Sequence, residues 1–208
     1  MLEALAAEPD PHTTVNRPDE AARIHLADSL SALDLPAVAA ASSLADVGAG
    51  AGFPGLALAV ALPKASVVLI ESMARKRGVI ARLARRAELE NAAIAGARAE
   101  DHARTDGASR YSVVTARAVA PLAVLIEYAA PLLTIKGSLV AWKGRRDAGE
   151  EEAGTRAGAA MGMELSEVRR VTPFAGARDR HLHVYRKFVA TPERYPRRAG
   201  VARKRPLA

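Results

Sequence analysis

There is no cysteine among the 208 residues, which excludes disulfides, thiolate-bound zinc and a cysteine nucleophile. Aromatic residues are scarce at 4%, so alanine, leucine and valine must build most of the core. No apolar run reaches the roughly 20 residues that cross a bilayer. The opening "MLEALAAEPDPHTTVNRPDE" has acids and prolines where a secretory signal would carry an apolar stretch. The expectation is therefore a cytoplasmic protein with no membrane partner. The five histidines form no ligand-spaced cluster, so no metal is expected. No Gly/Ser-rich or Pro-rich linker divides the chain, and its 50% hydrophobic content suits one domain with a substantial core.

What is present is unevenly distributed. The net charge is +7, and the stretch from Arg186 to Ala208 holds all of it: eight bases against the single acid Glu193. Such a tail is either a solvated end or a contact for a polyanion, which would make binding salt-dependent without reading sequence.

From Ser43 onward, apolar runs alternate with amphipathic segments. "SLADVG", "SVVLIE", "NAAIAG", "YSVVTAR" and "SLVAWK" read as strands. "FPGLALAVAL", "ARKRGVIARLARRAEL" and "PLAVLIEYAAPLL" read as helices, with Pro121 suited to a first helical turn. Alternation of this kind predicts a parallel sheet covered on both faces. "DAGEEEAGTRAGAAMG" is a polar, Ala-rich helix at best. "ELSEVRRVT" and "HLHVYRKF" follow as two strands joined too closely for a crossover, so they must pair antiparallel. Before the sheet, "RPDEAARIHLADSLSAL" has helical apolar spacing, with His25 and Asp28 on one face. That pair reads as a buried structural hydrogen bond in preference to a catalytic one. The segments are thus 1–42, a helical lead-in packed on the core; 43–188, an α/β core with a mostly parallel sheet and a C-terminal antiparallel hairpin; and 189–208, a basic tail.

Between the first strand and the first buried helix lies "ADVGAGAGFPG", with four glycines in eight positions. A glycine-rich turn there lets a ligand approach the backbone at the carboxyl edge of the sheet. Two ligand classes compete. Gly50 to Gly55 satisfies the dinucleotide fingerprint G-x-G-x-x-G, with Glu71 at the distance of a ribose-binding acid. Asp46 followed by Gly48, Gly50 and Gly52 satisfies the acid-x-G-x-G-x-G loop of S-adenosylmethionine-dependent methyltransferases, where Glu71 serves equally. The loop alone does not decide. Asp46 suits the ammonium of a methionine moiety and not a pyrophosphate. The dinucleotide register would also put Pro54, which has no amide, in the turn facing the helix. The antiparallel hairpin belongs to the methyltransferase variant of the fold. Together these favour the Rossmann-like class I methyltransferase over an NAD-binding enzyme.

"HLADSL", "DVGAGAGFPGLALA", "RAED", "TARAVAPL", Lys143-Gly144 and the closing "RYPRRAGVARKRPL" together resemble the glucose-inhibited division protein B family. The resemblance runs from about His25 to Leu207. It implies methyl transfer from S-adenosyl-L-methionine to ring nitrogen seven of a guanosine in 16S ribosomal RNA, with the RNA or the small ribosomal subunit as partner. Carried over by motif, the cofactor contacts fall on Gly48, Gly50, Phe53, Glu71, Ala99, Glu100 and Arg117. Arg117 is alternatively the partner of Glu127 or another acid. Family members carry further helices before "HLADSL" and an arginine where Ile24 stands here. No general base is expected, because the ring nitrogen has a lone pair and no proton to lose; the work is alignment and charge tolerance. Bases placed to meet RNA are Arg75, Lys76, Lys143, Arg197, Arg198, Arg203, Lys204 and Arg205. A monomer is expected. The alternative reading in another class is a non-catalytic, nucleotide-sensing RNA-binding protein of ribosome biogenesis.

Overall fold

A computed structural model describes residues 2–8 and 17–207. The part of the acidic opening at 9–16 lies outside the described residues. The lead-in comprises α1 (Leu2–Ala6), α2 (Pro18–Ala21), a π-helical turn over Ala22–Ala27, α3 (Asp28–Leu30), a 3-10 turn over Ser31–Asp34 and α4 (Pro36–Ala39). Then β1 (Ser43–Val47), α5 (Gly55–Ala61), β2 (Ser66–Ile70), α6 (Ala74–Arg86), β3 (Ala92–Ala95) and α7 (Ala99–His102) alternate. The second half runs β4 (Tyr111–Arg117), α8 (Leu122–Ala129), β5 (Leu133–Lys143), α9 (Ala148–Met161), β6 (Met163–Arg170), β7 (His181–Lys187) and α10 (Val201–Lys204).

The seven strands lie in the order β3-β2-β1-β4-β5-β7-β6. Strands β1 to β5 are mutually parallel, and β7 runs antiparallel to both β5 and β6. The expected open parallel sheet with a closing hairpin is thus the observed one. Side chains alternate across it, as the two-residue strand period requires. Ala45, Val47, Val114, Ala116, Leu139 and Ala141 join the core under α7, α8, α9 and α10. Leu44, Val113, Val140 and Trp142 join the core under α5, α6 and the lead-in helices, where Leu5 of α1 is buried. The chain turns one way from β1 to β2 and the other way to β4, so the crevice between β1 and β4 is the switch point where such sheets hold ligands.

Two expectations change in detail. Pro121 stands one residue outside α8, at its N-cap, with ψ 156°. And the polar Ala-rich segment is a full element. Asp147 caps α9 by accepting the Glu150 amide at 2.9 Å, and Gly162 ends it in the left-handed conformation. Gly154, Ala157, Gly158 and Met161 form its buried face. The polarity that hides α9 in the sequence belongs to its solvent side; its packing side is made of small residues that carry little hydropathy signal.

Candidate active site

The glycine turn needs its glycines. Gly48, Gly50 and Gly52 all have positive φ, at 66°, 59° and 99°, a region that disfavours side chains. At Gly48 a Cβ would also lie 2.8 Å from Val119 Cγ2. The turn is wired internally. The amides of Gly48 and Ala49 both donate to the Ile70 carbonyl, that of Gly50 to Glu71 Oε2 at 3.1 Å, and that of Gly52 to Ala49. The Gly55 amide, first in α5, donates to Asp46 Oδ2 at 2.9 Å, while Thr115 donates to Asp46 Oδ1 at 2.9 Å.

Asp46 therefore corrects the sequence reading. It is 1% exposed and faces α5, not the ligand edge. Burial pushes its pKa up to about 6, against the opposing pull of Gly55, Thr115 and Arg117. The conclusion it was used for survives on another ground. The helix start already holds a carboxyl group and the named turn amides are engaged, which disfavours a pyrophosphate there.

Two clefts open on the carboxyl edge, and among the described residues Gly48 alone lines both. The first is bounded by Glu71, Ala99, Glu100, Val119, Tyr128 and Arg203. Glu71, 6% exposed, directly follows β2 and accepts the Met73 amide at 2.8 Å besides that of Gly50. Each of its oxygens keeps acceptor capacity, which suits a ribose diol. Glu100, 1% exposed, accepts the Gly200 amide at 2.8 Å. The cleft carries the Glu71 and Glu100 carboxylates with Arg98 and Arg203 at its border, and a glycine surface replaces side chains, so the residues fit a sulfonium nucleoside.

The second cleft lies on the other side of the turn and holds His25, Asp28, Phe53, Lys76, Arg117 and Arg180. Arg117 Nη1 donates to Asp28 Oδ2 at 2.9 Å, and Nη2 reaches His25 Nδ1 at 3.3 Å. Because arginine only donates, that imidazole nitrogen accepts. His25 stacks on Phe53 with centroids 5.0 Å apart and an interplanar angle of 13°. So Phe53 and Arg117 stand apart from Glu71 and Glu100. Arg117 pairs with Asp28 and not with Glu127, and His25 and Asp28 meet through the guanidinium.

Among the basic residues, the structure separates anchors from surface. Arg197 is corrected to an anchor: its guanidinium lies against both carboxylate oxygens of Glu127, a residue with no exposure, and donates to the Arg205 carbonyl. Lys143 pairs with Glu150 at 2.5 Å, at the start of α9. Arg75, Arg198, Arg203, Lys204 and Arg205 are exposed, and Lys76 is half-buried. The tail is folded: Arg104 donates to the Pro196 carbonyl at 2.6 Å, Ala202 is buried, and Tyr195 and Leu207 pack on the core. Sequence reasoning gave Arg180 no role. It lies in the irregular connection between β6 and β7, where no periodicity marks a residue that will face Asp28.

Comparison with known proteins identifies the family and the fold. The model of the family "rRNA small subunit methyltransferase G" matches residues 12–183. A protein of Pelotomaculum thermopropionicum called ribosomal RNA small subunit methyltransferase G is 43% identical over 200 residues, covering 94% of this chain and 82% of that one. One of the same name from Rubrobacter xylanophilus is 42% identical over 187 residues, covering 88% and 72%. Among solved structures, the ribosomal protein L11 methylase of Lactobacillus delbrueckii superposes with a TM-score of 0.59 at 18% identity, covering 77% of each chain. The antibiotic-resistance methyltransferase Kmr superposes with 0.55 at 21%, covering 74% of this chain and 92% of that one. These two share the fold. With a family match spanning most of the sequence and relatives above 40% identity, this chain belongs to the rRNA small subunit methyltransferase G family.

Proposed function

We propose that the chain transfers a methyl group from S-adenosyl-L-methionine to ring nitrogen seven of a guanosine in 16S ribosomal RNA, in the cytoplasm and as a monomer. The carrying observation is the pair of clefts that meet at Gly48, a position where a side chain would collide with Val119. On this reading Glu71 binds the ribose hydroxyls, and the Ala99–Glu100 backbone borders the adenine. Gly48 and Gly50 keep the floor low enough for donor and acceptor to meet. When bound, the cofactor supplies a methyl already activated by its sulfonium charge. The guanine lone pair forms the new bond as the carbon–sulfur pair leaves with sulfur, and no proton moves. The chain has only to align the partners and exclude water.

Calorimetry with S-adenosylmethionine and with NAD tests the cofactor, and mass mapping of ribosomal RNA after incubation with purified small subunits tests the reaction. Gly48→Ala should weaken cofactor binding about tenfold or more through strain and collision. NAD binding in place of S-adenosylmethionine would reverse the reading. Tight RNA binding without turnover would instead favour a non-catalytic RNA-binding module.

A further inference from the structure

The second cleft contains an unresolved polar pair. Asp28 Oδ1 and Arg180 Nε are both buried, and neither has a hydrogen-bond partner among the described residues. They stand 3.9 Å apart, beyond hydrogen-bond range. A buried polar atom left unmatched is costly, so a site that holds an acceptor and a donor side by side in this state suits a guest presenting the complementary pair. Asp28 is not free to swing out to solvent. It is 6% exposed, its Oδ2 is held by Arg117, and its carbonyl accepts the Trp142 indole at 2.9 Å. Next to it, the stacked His25 and Phe53 rings form a flat platform rooted in the glycine turn. Lys76, Arg117 and Arg180 make the cleft rich in positive charge.

A planar base with a phosphate answers all three features: the polar pair, the platform and the charge. Of the purines, guanine has the matching edge. Its O6 accepts, and the adjacent N1–H and the 2-amino group donate. Adenine has the reverse order, with a donor at position six and an acceptor at N1, and would set an amine against the guanidinium. Resting on the methyl-transfer reading above, we propose that Asp28 and Arg180 are the guanine-reading pair of the acceptor site. Arg180 Nε donates to O6, Asp28 Oδ1 accepts from N1–H and the 2-amino group, and the ring lies beside His25. This arrangement leaves N7, on the other flank of O6, to face Gly48 where the clefts meet. As the N7 lone pair takes the methyl, the ring becomes cationic and the carbon–sulfur pair stays with sulfur. The Asp28 carboxylate is the anion placed to stabilise that new charge.

The α-amino acid end of the cofactor also carries a donor and an acceptor, and the test separates the two guests. Asp28→Asn and Arg180→Gln are measured for S-adenosylhomocysteine affinity by calorimetry and for kcat/KM on purified small subunits. The expected result is cofactor affinity within about twofold of the parent and kcat/KM lowered about 10- to 100-fold in each variant. A comparable loss of S-adenosylhomocysteine affinity would assign the pair to the amino acid end and overturn the proposal, as would unchanged kcat/KM in both. Arg180, whose side chain is 43% exposed, keeps the test valid where the Asp28 variant does not fold. Failure of the methyl-transfer reading itself would show in the parent protein, as absence of S-adenosylhomocysteine binding.

Discussion

Asp46 is a residue whose presence was plain in the sequence and whose work was not. Its spacing to Gly48, Gly50 and Gly52 identifies the loop, but spacing does not say which way a side chain points. Strand alternation turns it under α5, where it takes the Gly55 amide and the Thr115 hydroxyl. Burial raises its pKa from 3.8 to about 6. Between those values the folded protein binds more protons than the unfolded chain, so its contribution to stability falls as pH rises through that window. Asp46→Asn keeps an acceptor for Gly55 and cannot titrate. Urea unfolding should therefore show the wild type losing about 2 kcal/mol relative to the variant as pH rises from the unfolded to the folded pKa. Parallel curves for the two proteins would show that Asp46 does not titrate there. Glu71 was legible for the opposite reason: it directly follows a strand at the ligand edge, where chain position alone sets its address.

At the scale of the element, the strands and buried helices were legible because their apolar periods are strong. α9 was legible only as a polar, Ala-rich helix at best, because it packs with glycine and alanine. Its caps, Asp147 and Gly162, were the available signal. Close approach explains the glycines: a Cβ on Gly158 would lie 2.7 Å from the Met163 carbonyl oxygen, and one on Gly154 would meet the Tyr185 hydroxyl. In an exposed helix interior, glycine to alanine stabilises by roughly 1 kcal/mol. Here Gly158→Ala should destabilise by about 1–3 kcal/mol, because the obstacle is backbone. Denaturant unfolding measures this directly, and a more stable variant would mean that α9 sits farther from β6.

For the whole molecule, the basic tail is a folded strap and a charged surface at once. Arg197 pairs with the buried Glu127, Gly200 binds Glu100, and Arg203 borders the first cleft. Truncation after Phe188 would strip Glu127 of its partner and cost about 3 kcal/mol or more of stability, confounding any RNA measurement. Replacing the exposed Arg198, Lys204 and Arg205 together with glutamine should leave stability unchanged. It should lower the slope of log affinity against log salt by about 2–3, near 0.7–0.9 per phosphate contact. Filter binding to ribosomal RNA across salt concentrations tests this, and an unaltered slope would remove these three residues from the interface. Composition leaves the tail as either a solvated end or a polyanion contact, because a charge tally does not distinguish an arginine facing solvent from one facing Glu127.

By itself the sequence determined the alternation of elements, the glycine turn, the Glu71 address and the family. Each of these depends on neighbours along the chain or on fixed strand-to-loop spacing. Only the tertiary structure decided that Arg117 meets Asp28, that Arg197 meets Glu127, and that Arg180 closes on the acid from the far hairpin. Those pairings join residues distant in sequence whose contact depends on how sheet, lead-in helices and tail pack together, and no local pattern encodes that.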